Sequence, residues 1–286
     1  MADPNFRFER SQALTDSQYV VDQEWDKLTE EDHDIWRILY KRQAKILKKR
    51  AAKEWYEGMD TLKIGTDGVP NYERVSDILE KLTGWRLVAT AGLVPDEVFF
   101  THFSNKRFPV TRWMRDRDQI DYIVEPDAFH DCYGHVAHLA DPRFAEFLHF
   151  YGQEGLKAIE DGTLTYLARL YWYTVEFGLL NTPDGLKIYG AGIASSPNES
   201  VYALENPASQ RIKLDIERCM RTNYIIHTYQ ATYFVIDDYS ELLDGASPSR
   251  LAQIYANIAE NPGDYAPDEK LAEDRFFPPA EPGTYD

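Results

Sequence analysis

The chain has 286 residues, 43% hydrophobic and 14% aromatic, enough to bury a large core in one or at most two domains, of which one is the simpler reading. Its net charge of -17 repels phosphate backbones and anionic lipid surfaces, so neither nucleic acid nor a membrane is expected as a partner. Cys132 and Cys219 are too few for a disulfide scaffold, and with no signal-like start or long apolar run the cytoplasm is the expected compartment.

Residues 1–22 are polar without a strong period and read as a flexible arm, leaving residues 23–286 as a single domain. Thr29-Glu-Glu-Asp32 predicts the start of a long helix through Trp36, Leu39, Tyr40, Ile46 and Leu47. The basic run Lys48-Lys49-Arg50 with Lys53 reads as the solvated face of that helix. After a loop from Gly65 to Pro70, Asn71 caps a helix whose Val75, Ile78, Leu79 and Leu82 share a face, and Gly84 ends it. Trp85 to Arg112 is apolar but broken by Gly92, Pro95 and Pro109, which predicts a winding segment lining a cavity.

A helix is expected from near Asp127 to just before Pro142, and another carrying Phe144, Phe147, Leu148 and Tyr151. Leu164 to Leu180 reads as one nearly apolar helix whose only charges are Arg169 and Glu176. Leu186 to Ser196 has strand character with glycine bends, and Arg211–Leu214 and Tyr233–Ile236 read as short strands. Ser247-Pro248 opens a final helix to about Ala259, and the proline-rich tail from Pro278 is expected to be ordered by docking.

Four of the seven histidines (130, 135, 138 and 149) fall in the segment beginning Glu125-Pro-Asp127 and the turn after it. His130 and His135 stand roughly 140° apart on an ideal helix, so they meet at one ion only if the helix deforms or His130 sits at its start. Two imidazoles and one carboxylate form the facial triad of non-haem iron(II), and Glu176 is the carboxylate that its apolar surroundings single out. The other reading is that both histidines are ordinary buried side chains and that Glu176 pairs with Arg169. His138 reads as a polar wall of the same cavity, His33, His102, His149 and His227 as surface or packing residues, and Cys132 as a small buried hydrophobe.

Four motifs in order carry a resemblance: Glu125-Pro-Asp127; His130-Asp-x-x-Gly-His135; Tyr171-Trp-Tyr-Thr-Val-Glu176-Phe-Gly178; and Tyr189-Gly-Ala-Gly-x-x-Ser-Ser196. Together they resemble the pterin-dependent aromatic amino acid hydroxylases, above all the short bacterial phenylalanine hydroxylases, over roughly residues 70–243. The resemblance implies a mainly α fold with a few short β-strands, a helical basket around a mononuclear iron. It implies that His130, His135 and Glu176 bind Fe(II), and that a tetrahydropterin and O2 are the co-substrates for hydroxylating L-phenylalanine to L-tyrosine. Arg115 falls where the family grips the substrate carboxylate, with Asp127 bracing it, and Trp172, Ser195 and Glu199 match positions around the substrate.

Phe99 matches the residue that stacks the pterin, with Gly92, Leu93 and Val94 offering backbone and Asp131 and Tyr171 flanking it. Trp172 stands where family members acting on tryptophan carry Phe, so a tryptophan substrate is disfavoured. His138 replaces a commonly apolar residue. The length leaves no room for the animal enzymes' regulatory domain or tetramerisation helix, and a monomer is expected.

Overall fold

The computed structural model describes residues 19–281 and 283–285. Contacts group them into two compact units, one made of the residues up to Lys45 with Glu54–Gln153, the other of Ile46–Lys53 with those from Glu154 onward. The mainly helical class with a few short strands is as expected. Of the expected N-terminal arm, residues 1–18 lie outside the described residues. The rest of it is docked, with the Val21 amide donating to Ala89 O at 2.9 Å and Asp22 O accepting from Arg112.

In the first unit α1 (Glu30–Leu47) begins where Thr29 and Asp32 cap each other. The Asp32 carboxylate accepts from the Thr29 amide at 2.7 Å, and the Thr29 hydroxyl oxygen from the Asp32 amide at 3.2 Å. α2 spans Lys53–Thr61. α3 (Tyr72–Leu82) is capped by the Asn71 side chain, and the chain leaves it through Gly84 at φ 79°.

The expected winding stretch is instead a regular β-α-β unit of β1 (Arg86–Thr90), α4 (Asp96–Ser104) and β2 (Arg107–Thr111), the two strands pairing in parallel. Its breakers fall outside the strand interiors or at an edge. Gly92 and Pro95 make the β1–α4 loop, and Pro109 pairs with Val88 on a two-stranded sheet where a missing amide is tolerated. The segment expected to be helical from Asp127 divides into a six-residue π-helix, His130–His135, and a 3-10 turn, Val136–Ala140, before α5 (Pro142–Asp161).

In the second unit α6 ends early. It runs Leu164–Tyr171, opens into a second π-helical turn, Trp172–Glu176, and gives way to β3 (Leu179–Thr182), so the single helix to Leu180 does not form. The strand expected from Leu186 covers only the first three residues of that run. β4 is Gly185–Ile188, and the glycine-containing half coils into the short α7 (Ala191–Ser195), followed by α8 (Glu199–Glu205).

β5 (Gln210–Lys213), α9 (Ile216–Met220) and β6 (Thr232–Ile236) complete a sheet of order β4-β3-β6-β5. β6 is buried throughout, as a central strand of five apolar or β-branched residues must be. α10 (Ser240–Gly245) and α11 (Pro248–Glu260) follow, and the tail docks as expected through Ala280 N to Leu204 O and Tyr285 OH to Leu186 O. Arg50 is not a solvated charge. It lies past the end of α1, pairs with Glu205 at 2.7 Å and sits over the Tyr285 ring.

Gly58 of α2 packs directly on the turn after His135, where a Cβ would lie 2.0 Å from the Ala137 carbonyl oxygen. Gly58→Ala is therefore expected to cost about 1–3 kcal/mol in urea unfolding, because two backbones must separate. A variant as stable as the parent would show that this packing is loose.

Candidate metal centre and its surroundings

The π-helix solves the spacing problem of the two histidines. An i→i+5 turn, closed here by the Val136 amide on Asp131 O, widens the helix by one residue and brings side chains five apart onto one face. His130 Nε2 and His135 Nε2 lie 3.2 Å apart with their rings nearly perpendicular. Two nitrogens each about 2.1 Å from one ion, at roughly a right angle, would be separated by about 3 Å, so the pair fits chelation of a single metal.

Three neighbours hold this turn. The Trp55 indole donates to Tyr133 O at 2.8 Å, Phe108 of β2 places its ring 5.4 Å from that of His135, and the Thr111 amide donates to Asp131 Oδ2 at 2.7 Å. Among the described residues, His130, Asp131 and His135 form a group whose donor atoms all lie within 4.8 Å of one another. Asp131, expected beside the pterin, thus also stands within reach of a metal. Burial raises its carboxyl above the usual range, against the opposing pull of the two histidines and the Thr111 amide.

Asp127 does two jobs from one buried carboxylate. As the cap of the turn it accepts from the His130 amide at 3.0 Å. It also takes a forked pair from Arg115, Nε at 2.8 Å and Nη2 at 2.9 Å, with the Arg115 amide adding a third bond at 3.0 Å. Burial alone would raise this carboxyl, but the guanidinium and the two amides outweigh it and hold the group below its ordinary value. Arg115 and Asp127 are therefore paired, and the pair is tied to the same backbone that carries His130.

Phe99 lies on α4, half-buried, with its ring 4.2 Å from Phe103. Gly92 and Val94 are half-exposed and Leu93 is 75% exposed, in the loop just beyond the carboxyl end of β1. His138 is buried against Phe144, their centroids 5.1 Å apart. Cys132 is fully buried and its thiol is pushed up by burial, as a packing residue rather than a nucleophile would be.

In the second unit Glu176 is the last residue of the Trp172–Glu176 turn and is half-buried rather than enclosed. The alternative pairing with Arg169 is not formed. Arg169 forks onto Asp264 at 2.9 and 2.8 Å and donates to Asn223 Oδ1. Gly190 and Gly192 let α7 approach the Glu176 backbone, since a Cβ at Gly190 would meet Glu176 O at 2.4 Å. Ser195 ends α7 with its hydroxyl on Ala191 O, and Glu199 opens α8.

Tyr171 and Trp172 are half-exposed at the junction of α6 with its π turn. The Trp172 indole stacks on Tyr224 and donates to Gln230 Oε1 at 3.0 Å. Burial lifts the Glu199 carboxyl to about 7, although the Tyr233 hydroxyl at 2.8 Å and the Gln230 amide favour its charged form.

A sequence profile of the biopterin-dependent aromatic amino acid hydroxylases matches residues 2–248. The chain belongs to this family. It is 53% identical over 230 residues to a phenylalanine-4-hydroxylase of Ralstonia nicotianae, covering 80% of this chain and 74% of that one. It is 48% identical over 255 residues to the Chromobacterium violaceum phenylalanine-4-hydroxylase, covering 88% and 86%. The solved structure of the C. violaceum enzyme with bound oxidised Fe(III) matches with a TM-score of 0.87 at 45% identity over 91% of this chain and 94% of that one. The same enzyme bound to cobalt matches with a TM-score of 0.88 over 92% and 94%.

Sequence reasoning missed Thr111, Trp55, Tyr233 and Gln230, which hold candidate site residues or the turn that carries them through backbone amides or side-chain polar atoms. Threonine at a strand end and glutamine in a loop are ordinary there and give no pattern to find.

Asp127→Ala would leave the Arg115 charge buried without its partner, and a loss of about 3–5 kcal/mol in denaturant unfolding is expected. A loss below about 1 kcal/mol would show that solvent reaches the guanidinium. For Glu199, the folded state holds a proton that the unfolded chain has released between its ordinary range and about pH 7, so its contribution to stability falls as pH rises through that window. Glu199→Gln is expected to flatten that slope in unfolding measured from pH 5 to 8. An unchanged slope would place the titration elsewhere.

Proposed function

We propose that this protein is a phenylalanine 4-monooxygenase, hydroxylating L-phenylalanine to L-tyrosine with O2 and a tetrahydropterin at Fe(II) held by His130, His135 and Glu176. The observation that carries this reading is the π turn that sets two imidazole nitrogens 3.2 Å apart in a family member related to phenylalanine-4-hydroxylases. Bound there, the ion would supply open coordination positions for activating O2 in concert with the pterin.

The chain's own residues bind and orient. Asp127 occupies Nε and Nη2 of Arg115, which leaves the Nη1 edge to donate to the carboxylate of the amino acid while the fork stays fixed. Trp172, Ser195 and Glu199 shape the substrate side. Phe99 offers an aromatic face to the pterin, and Gly92, Leu93 and Val94 offer it backbone groups, with Asp131 and Tyr171 flanking. Holding the reacting ring and excluding water, more than proton transfer by side chains, is the protein's share of the catalysis. No described helix is long and apolar enough to cross a membrane. A single catalytic domain acting as a cytoplasmic monomer completes the reading.

Anaerobic reconstitution with ferrous iron, followed by product analysis from phenylalanine, tyrosine and tryptophan with and without tetrahydropterin, tests it. Tyrosine formed from phenylalanine only when iron and pterin are both present is the expected result. Turnover without pterin, or none with any of the three, would contradict it. Trp172→Phe is expected to keep its iron and shift preference toward tryptophan, and Glu176→Ala to lose tight iron retention, both read by metal analysis beside the assay.

A further inference from the structure

From Asn223 to Gln230 the chain forms an irregular loop whose two ends are clamped within the second unit. At the first end Asn223 accepts from Arg169 Nη2 at 2.6 Å and from the Tyr173 hydroxyl at 2.7 Å, and its amide donates to Tyr265 O. At the second, the Gln230 amide donates to Glu199 Oε1 at 3.3 Å. Between them Tyr224 lies flat on the Trp172 indole, centroids 4.5 Å apart and planes 20° apart. The tip exposes Ile226, and Tyr229 rests against Tyr202 one turn beyond Glu199.

The Gln230 side chain joins these parts. It is 2% exposed, and its Oε1 accepts from Trp172 Nε1 at 3.0 Å and from the Ile225 amide at 3.4 Å while its Nε2 donates to Ile225 O at 2.7 Å. An indole nitrogen can only donate and a carbonyl only accept, so both partners demand the same orientation of the amide. Glutamate would supply the acceptor without the donor, and leucine neither.

We propose that Gln230 is a positioning residue of the hydroxylase: one amide closes the neck of the 224–230 loop and fixes the Trp172 indole beneath it, setting the wall against which the substrate ring is chosen. The inference rests on the reading of Trp172 as a wall of the substrate pocket. Its action is indirect, through the indole and the Tyr224 ring stacked on it. A polar side chain that merely stabilised the fold would not have its effect depend on what stands at position 172.

The test compares Gln230→Leu and Gln230→Glu, each in the parent and in Trp172→Phe, by steady-state kinetics with phenylalanine and tryptophan, by thermal unfolding, and by the rate of chymotrypsin cleavage at Tyr224 and Tyr229. Gln230→Leu takes the acceptor from the half-buried Trp172 indole N–H, so KM for phenylalanine is expected to rise about tenfold with kcat changed far less, and the preference over tryptophan to narrow. In Trp172→Phe, which has no indole to hold, most of that change should vanish. Gln230→Glu keeps the acceptor, so it should spare the preference while speeding cleavage of the loop, and it carries the test if the leucine variant does not fold.

An unchanged KM and preference in folded Gln230→Leu, or an equal loss in both backgrounds, would overturn the proposal. So would a preference altered as strongly by glutamate as by leucine. If the parent chain turns over no phenylalanine, the proposed function fails by itself. Cleavage then still reads the clasp, with faster cutting of both Gln230 variants expected and unchanged cutting overturning it.

Discussion

The candidate metal centre depends on one widened turn of helix. In a regular α-helix His130 and His135 would diverge, but with an i→i+5 hydrogen bond at its end the segment turns both Nε2 atoms toward the same point. Such a turn displaces backbone groups from their usual partners, and the structure meets that cost locally. Trp55 serves the Tyr133 carbonyl, Asp127 the His130 amide, and Asp131 reaches across to the Thr111 amide. The turn is therefore held from three sides, by α2, by the end of β2 and by the loop carrying Arg115.

The same economy recurs in the handling of charge. Arg115 and Asp127 are both buried, and such a pair adds little net stability over apolar packing. What it provides is register: the carboxylate that orients the guanidinium also caps the helix bearing His130, so the candidate substrate anchor and a candidate metal ligand move together. In the second unit Arg169 plays the corresponding part. By engaging Asp264 and Asn223 it fixes one end of the loop that lies on Trp172.

Much of the fold was legible because its signals are local. The Thr29–Asp32 box and the Asn71 cap read directly from short polar side chains before apolar periods, and both helices begin where these residues place them. The parallel β1–β2 pair was not legible, since its breakers lie in the connection and at an edge, where they do no harm, and only tertiary pairing reveals that. Nor was the break after Tyr171. Apolar side chains continue unchanged through the π turn into β3, so periodicity alone extends the helix. The pairing of Arg50 is not legible either, because a charge in a basic run gives no sign of the Glu205 carboxylate 155 residues on.

At the site, residue types and spacing raised His130, His135 and Glu176 as one of two readings, and only the resemblance to a family singled it out. The deformation those histidines require is present, while Asp131 stands closer to the pair than the sequence suggested. The central claim is that this turn delivers both imidazoles to one ferrous ion. X-ray absorption at the iron edge of the Fe(II)-loaded protein, beside His135→Ala, tests it most directly. The account predicts scattering from two histidine rings in the parent and a reduced count or lost iron in the variant. A parent spectrum with fewer than two imidazoles, or identical spectra at equal iron content, would contradict it.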